Sequence, residues 1–193
     1  MSLGGFRRCY GIAVKFFHLS FNDLTIARFV EGAQQLGFCD YIVLERQNWL
    51  RKVVSSVVGH KGGTFHCPSN VSAAVKRVFL NLDRVCIDRD EKPLLEYFDD
   101  WSNKFALLRR LLARERTLEL SYERDIEASP VSAYLKCCEF LELEPFHPEV
   151  RLARTNPFPL RDLIVNWDEV QVALTGSPYE WMLEGVEGSA NVT

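Results

Sequence analysis

The stretch YIVLERQNWLRKVVSS, Tyr41 to Ser56, changes its periodicity halfway along. Tyr41 to Leu44 is an unbroken apolar, β-rich run that follows a turn signal at Gly37, and it predicts a strand over Tyr41–Glu45. An apolar run without alternation is the pattern of a strand buried on both faces, as in a parallel sheet. Asn48 is then a natural N-cap, because its side-chain oxygen can take a free N–H of the first turn. Beyond it Trp49, Val53 and Ser56 or Val57 recur at helical spacing on one face, and Arg51 and Ser55, four apart, share another. A strand handing over to a helix in this way is half of a βα unit.

The same reading extends outward. Gly11–Phe16, within YGIAVKFF, is a short apolar run that predicts an earlier strand. Asn22 and Asp23 offer caps for a helix running to Leu36, which Gly37 ends. Gly59 to Asn70 reads as loop. From Lys92 to Glu115, Leu94, Phe98, Trp101, Phe105 and Leu112 fall at helical spacing. Arg116–Glu123 alternates as a strand, with Leu118–Ser121 its core. Ser129 before Pro130 is a strong helix start, and another short helix opens near Asn166. Tyr179, Trp181 and Met182 read as a terminal core cluster. Strands alternating with helices place residues 1–193 in one α/β domain with a mostly parallel sheet.

Composition narrows the function classes. With 47% hydrophobic and 12% aromatic residues, the chain can bury a substantial core. A net charge of -3 argues against binding nucleic acid over the general surface, although a local basic pocket for a small anion is compatible with it. No apolar run reaches the roughly 20 residues that span a bilayer. The six cysteines show no CxxC pair or metal spacing. Free thiols in a reducing, cytoplasmic setting is the expectation, with no metal. GHKGGTFH, Gly59 to His66, has the glycines and lysine of a phosphate loop. Such loops follow a strand and open a helix, whereas this one follows a predicted helix.

Three stretches in order resemble the sulfotransferases that use 3′-phosphoadenosine 5′-phosphosulfate, in particular their carbohydrate and bacterial branch. They are YIVLERQNWLRKVVSS, LELSYERDIEASPVSAYLKCCEFLELEP and RTNPFPLRDLIVNWDEVQVALTGSPYEWML. The resemblance spans Tyr10 to Leu183. It implies a P-loop-nucleotide-hydrolase-like parallel sheet flanked by helices, and transfer of a sulfuryl group from that donor to an acceptor hydroxyl on a carbohydrate. It further implies that Arg46, at the strand end, and Ser55, on the next helix, hold the donor's 3′-phosphate. An arginine fork suits phosphate geometry, and a hydroxyl adds a neutral donor. The cytosolic branch places the serine one position earlier, here Val54, with Ser56 as another alternative. Arg154 and Asn156 match the family's late nucleotide-contacting segment. Glu123 of the Tyr122-Glu123 pair is expected to order the strand end by pairing with nearby donors.

The resemblance also carries a departure. The family's sulfate-side loop, a Pro-Lys-x-Gly-Thr-Thr-like sequence, should lie before Tyr10, and nothing there matches it. The sheet is therefore expected to lack its first strand, loop and helix, to associate with itself through the uncovered side, and to be inactive alone. His18 and His66 are the candidates for the general base, His66 lying in the acceptor-side loop. A noncatalytic binding or interaction protein of the same fold is the alternative. A kinase-like nucleotide protein is a weaker one, since no phosphate loop or Mg²⁺-carboxylate motif is present.

Overall fold

The computed structural model describes residues 10–62, 67–68, 75–87, 90–153 and 156–184. In chain order the elements begin with α1 (Phe16–Phe21), α2 (Ile26–Gln35), β1 (Asp40–Glu45) and α3 (Trp49–Gly62). Next come β2 (Cys67–Pro68), β3 (Val85–Ile87), β4 (Asp90–Lys92), α4 (Leu94–Leu111) and β5 (Arg116–Ser121). A π-helical turn at Tyr122–Glu127 leads to α5 (Pro130–Phe140), β6 (Leu152–Ala153), α6 (Leu160–Leu163), α7 (Trp167–Leu174) and a 3-10 turn at Glu180–Leu183.

The architecture is α/β. Among the described residues the central element is a parallel pair, β1 beside β5, in register from Asp40 opposite Arg116 to Glu45 opposite Ser121. Parallel neighbours need a long crossover, and here it runs through α3 and α4. Two small antiparallel pairs, β2 with β6 and β3 with β4, flank this unit.

The predicted strand and helix of the deciding stretch are both present. Asn48 caps α3, its Oδ1 accepting the Arg51 N–H at 2.9 Å. Leu50, Val53 and Val54 of α3 are fully buried against Phe98 of α4, Leu163 of α6 and Val170 of α7. Phe98 also packs edge-to-face on Tyr179, ring centroids 5.2 Å apart. A second cluster, Leu19, Ile26, Val30, Phe105 and Leu112, covers Val43 of β1. Phe16 touches both clusters. Ser129 caps α5 as expected, accepting the Ser132 N–H at 3.2 Å.

Several expectations are corrected. Gly11–Phe16 is not a strand: the chain reaches Lys15 without regular structure and then turns into α1. His18 Nδ1 accepts the Lys15 N–H at 3.2 Å, and the Lys15 carbonyl accepts the His18 N–H at 2.9 Å. These bonds start a helix, and Phe16 anchors it edge-to-face on Phe105 at 5.0 Å. The cap of α2 is Thr25, whose hydroxyl accepts the Arg28 N–H at 3.2 Å. Asn22 instead closes α1 by donating to the His18 carbonyl at 2.7 Å. Gly37, with φ +86°, takes the left-handed conformation that ends α2, as predicted.

The loop predicted from Gly59 starts later, because α3 continues to Gly62. Val58 is held in the core and His60 Nδ1 bonds the Ser56 carbonyl at 2.8 Å, so the last turns have both packing and a hydrogen bond. The strand predicted to reach Glu123 ends at Ser121, because Asp125 accepts the Ser121 N–H at 2.8 Å and turns the chain. β1 is covered on one face only. Val43 and Glu45 are buried, while Ile42 and Leu44 remain 41% and 49% exposed. In the terminal cluster Met182 is buried and Tyr179 packs inward, but Trp181 faces solvent.

Candidate functional site

Ligands of open parallel sheets bind beyond the carboxyl ends of the strands, and here β1 and β5 end side by side. Past Glu45 the chain runs through Arg46, Gln47 and Asn48 into α3. The N–H groups of Gln47 and Asn48 donate to the two carboxylate oxygens of Glu123, each at 3.0 Å. Helix entrances attract anions because their first amides are unpaired. At α3 a carboxylate from the end of β5 fills that position, so any ligand phosphate must find its donors beside it. Glu123 thus orders the strand end, the role its place after Tyr122 had suggested.

Arg46 lies against this carboxylate, its Nε 3.9 Å from Glu123 Oε1. Its guanidinium also stacks over the Tyr122 ring at 4.5 Å. Burial pulls its pKa below the ordinary arginine value, opposed by the nearby Tyr122 and Glu123. Its Nε is buried and has no hydrogen-bond partner among the described residues. The guanidinium is thus oriented by stacking and by charge, with its Nε free of a hydrogen bond among the described residues.

Arg51, one turn into α3, ties a distant segment to the strand end. Its guanidinium donates to the carbonyls of Asn156 at 3.3 Å and Phe158 at 3.1 Å. Its charge is close enough to lower the Arg46 pKa. Asn156 is 5% exposed, yet neither its Oδ1 nor its Nδ2 has a partner among the described residues. A buried amide with both ends unmatched is costly unless water or a ligand satisfies it. Arg46, Arg51 and Asn156 are therefore brought together.

Ser55 is half-buried on α3, four residues after Arg51, which places it on the same helical face. The alternatives separate clearly. Val54 is wholly inside the core, and Ser56 lines a different cavity described below. His18 sits on α1, and its polar contacts are with Lys15 and Asn22 of its own turn. Arg154 and His66 lie outside the described residues.

The strand end also opens onto a cavity of about 480 Å³ lined by Glu45, Gln47, Trp49, Arg109, Tyr179 and Trp181. Glu45 is buried and bonded to Arg109, which also reaches Glu119 at 3.2 Å. Tyr179 is pushed up to about 12 by burial and by its hydrogen bond to Asp99, so it stays a neutral phenol. Trp49 Nε1 is buried and unpartnered among the described residues.

Sequence reasoning grouped Arg51 with Ser55 on one face but gave Arg51 no role. The available signal was its position between Arg46 and Ser55 on the helix that leaves the strand end. The stacking of Arg46 on Tyr122 had no sequence signal beyond the aromatic before Glu123.

Among the described residues no group of three His, Cys, Asp or Glu is placed to hold a metal ion, and no helix is long and apolar enough to cross a membrane. No protein-family model, curated protein or solved structure matches the chain.

Proposed function

We propose that the carboxyl end of β1 binds the 3′-phosphate of 3′-phosphoadenosine 5′-phosphosulfate, and that the chain carries a sulfotransferase site for an acceptor hydroxyl on a carbohydrate. The observation that carries this reading is Arg46: a largely buried guanidinium, stacked on Tyr122, whose Nε has no hydrogen-bond partner among the described residues. Two guanidiniums, Arg46 and Arg51, and two carboxylates, Glu123 and Glu127, act on this point, with both Glu123 oxygens already engaged by the Gln47 and Asn48 N–H groups. In this reading an anion is drawn by oriented, unused donors on a locally balanced site, within a chain that as a whole is acidic. In this reading the Arg46 fork takes two phosphate oxygens, and Ser55 Oγ and Asn156 Nδ2 donate from the α3 side. Arg51 holds the Asn156 segment in place, and Glu123 keeps the loop from collapsing onto the arginine. The parallel pair β1 and β5 would belong to a P-loop-nucleotide-hydrolase-like sheet, with the donor lying across its carboxyl edge.

Sulfuryl transfer asks a protein mainly for positioning and for positive charge where the leaving phosphate develops its own. The acceptor oxygen forms a bond to sulfur, the bond from sulfur to the 5′-phosphate oxygen breaks, and the hydroxyl proton passes to a base. The residues described above serve the first need, anchoring the donor by its distal phosphate.

A second reading is nucleotide binding without transfer, in a noncatalytic protein of the same fold. It is favoured by the local contacts of His18, a residue expected to act as base. The test is binding of the donor followed by labelled-sulfate transfer to a panel of sugars. Binding with transfer supports the enzyme, binding alone supports the second reading, and no binding refutes both.

A further inference from the structure

The largest cavity of the protein, about 900 Å³, lies beside β1 and away from the strand ends. Its lining has two unlike parts. Most of it is apolar, built from Phe16, Phe29, Phe105 and Leu108 together with Ile42 and Leu44 of β1. The other part is a stripe of α3. Lys52, Ser56 and His60 follow one another at four-residue spacing, so they share one face of the helix, and all three border the cavity. Arg51 and Ser55 lie on the neighbouring face, so α3 stands between this cavity and the strand-end site. Ile12, Val14 and Lys15 already form part of the wall, and the volume is the space that remains with them in place.

We propose that this cavity binds a small amphipathic anion, an aromatic or alkyl body carrying one carboxylate or sulfonate, with its head on the α3 stripe and its body among the phenylalanines. The inference stands independently of the nucleotide reading. Its first support is the charge of the lining. Four ammonium groups, Lys15, Lys52, Lys92 and Lys104, meet three carboxylates, Asp40, Asp90 and Asp100. Asp40 pairs with Arg116, which is not part of the lining, at 2.9 Å. Asp90 and Asp100 hold Lys92 at 3.0 and 3.4 Å, and Asp100 holds Lys104 at 2.7 Å. Lys15 and Lys52 lie over rings, Phe17 at 5.7 Å and Trp101 at 3.9 Å. A ring face attracts a cation but cancels none of its charge. The lining is therefore net positive within mainly apolar walls, and such a space favours a ligand that is itself apolar with one negative group.

The second support is where the polar groups stand. Lys52 and Ser56 are half-buried, one turn apart on the same wall. An ammonium and a hydroxyl supply two kinds of donor to one anionic head, and partial burial strengthens a charge-assisted bond. His60 adds a polar group nearer solvent, its exposed ring held by Nδ1 on the Ser56 carbonyl at 2.8 Å. The third support is size. Small-molecule sites span about 300–1,000 Å³, mostly apolar with a few polar groups that fix orientation. At about 900 Å³ this cavity falls within that range. Charge is also what separates this occupant from a peptide strand or a second copy. Backbone pairing along β1 makes no use of a positive lining, whereas an anionic head does.

The test uses the full chain and anilinonaphthalene sulfonate, an aryl sulfonate that fluoresces in apolar surroundings. The expected result is saturable binding of one molecule per chain with Kd at or below about 100 µM. Octanoate should displace it, and octanol, which has the same chain length without the charge, should need at least about tenfold more. Lys52→Met should weaken the sulfonate and octanoate about tenfold while leaving octanol unchanged, and Ser56→Ala should weaken both anions about threefold. The competition needs no variant, so it decides the matter whatever Lys52→Met does to folding. Four results would overturn the proposal. They are no saturable binding by about 1 mM sulfonate, displacement by octanol as readily as by octanoate, anion affinity unchanged in a folded Lys52→Met, or affinity that falls as protein concentration rises. The last would make a second copy the occupant.

Discussion

Replacing Glu123 should move stability and anion affinity in opposite directions. Its side chain is 7% exposed and its two oxygens accept the N–H groups of Gln47 and Asn48. Hydrogen bonds to a charged acceptor contribute about 1.5–3 kcal/mol each. The Gln47 side is open to water and deserves the lower figure. Glu123→Ala also strips the buried Arg46 of its nearest opposite charge. Together these give a loss of about 3–4.5 kcal/mol, a large part of the roughly 5–15 kcal/mol that holds a domain together. At about 2–4 °C per kcal/mol for a chain of this size, the melting temperature should fall by roughly 6–18 °C. Glu123→Gln keeps one acceptor and should lose about half as much. Both variants remove a negative charge from beside the proposed phosphate position. Like charges repel, and relief of about 1 kcal/mol of that repulsion makes the glutamine variant bind anionic nucleotide about fivefold more tightly. Circular dichroism melts and calorimetric titration of both variants are the assays. Melting within about 1 °C of wild type for Glu123→Ala would refute the claim that this carboxylate orders the strand end.

Other perturbations test separate parts of the structure. Asp125 is held below the usual carboxylate range by its hydrogen bond with Lys136 and by the Ser121 N–H. Its stabilisation is therefore full above the unfolded carboxylate pKa, about 4, and is lost as pH falls through the lower folded value. Melting temperature against pH should show that acid limb, shallower in Asp125→Asn. Phe98→Ala removes a fully buried ring that packs on Trp49 and Tyr179, and urea unfolding should show a loss of about 3–5 kcal/mol. Ser55→Ala should reduce the preference for a 3′-phosphorylated nucleotide while Ser56→Ala leaves it unchanged, because Ser56 faces the cleft beside β1.

The readable parts of this fold are those whose signals are local and mutually consistent. Tyr41 to Leu44 is too β-rich for a helix, Asn48 is an unambiguous cap, and Ser129-Pro130 fixes the start of α5. GIAVKFF failed because a short apolar run has no period of its own. Phe105 and the Lys15–His18 bonds decide its conformation, and Phe105 lies far along the chain. Gly59 looked like a stop, but burial of Val58 carries α3 past it. At the strand end, the pairing role of Glu123 was legible from its place after Tyr122. The bridge from Arg51 was not, since its carbonyl partners lie more than a hundred residues away and a backbone carbonyl leaves no trace in sequence. The open edge of β1 was legible only as a contradiction, an interior-type strand for which the described residues supply a single neighbour.

The central claim is that Arg46 grips a 3′-phosphate, and calorimetric titration of two nucleotides tests it most directly. Wild-type protein should bind 3′-phosphoadenosine 5′-phosphate at least about tenfold more tightly than adenosine 5′-phosphate, since one bidentate charge-assisted contact contributes about 1.5–3 kcal/mol. Arg46→Ala should erase most of that difference while leaving adenosine 5′-phosphate binding nearly unchanged. Equal affinity of the wild type for the two nucleotides would contradict the account.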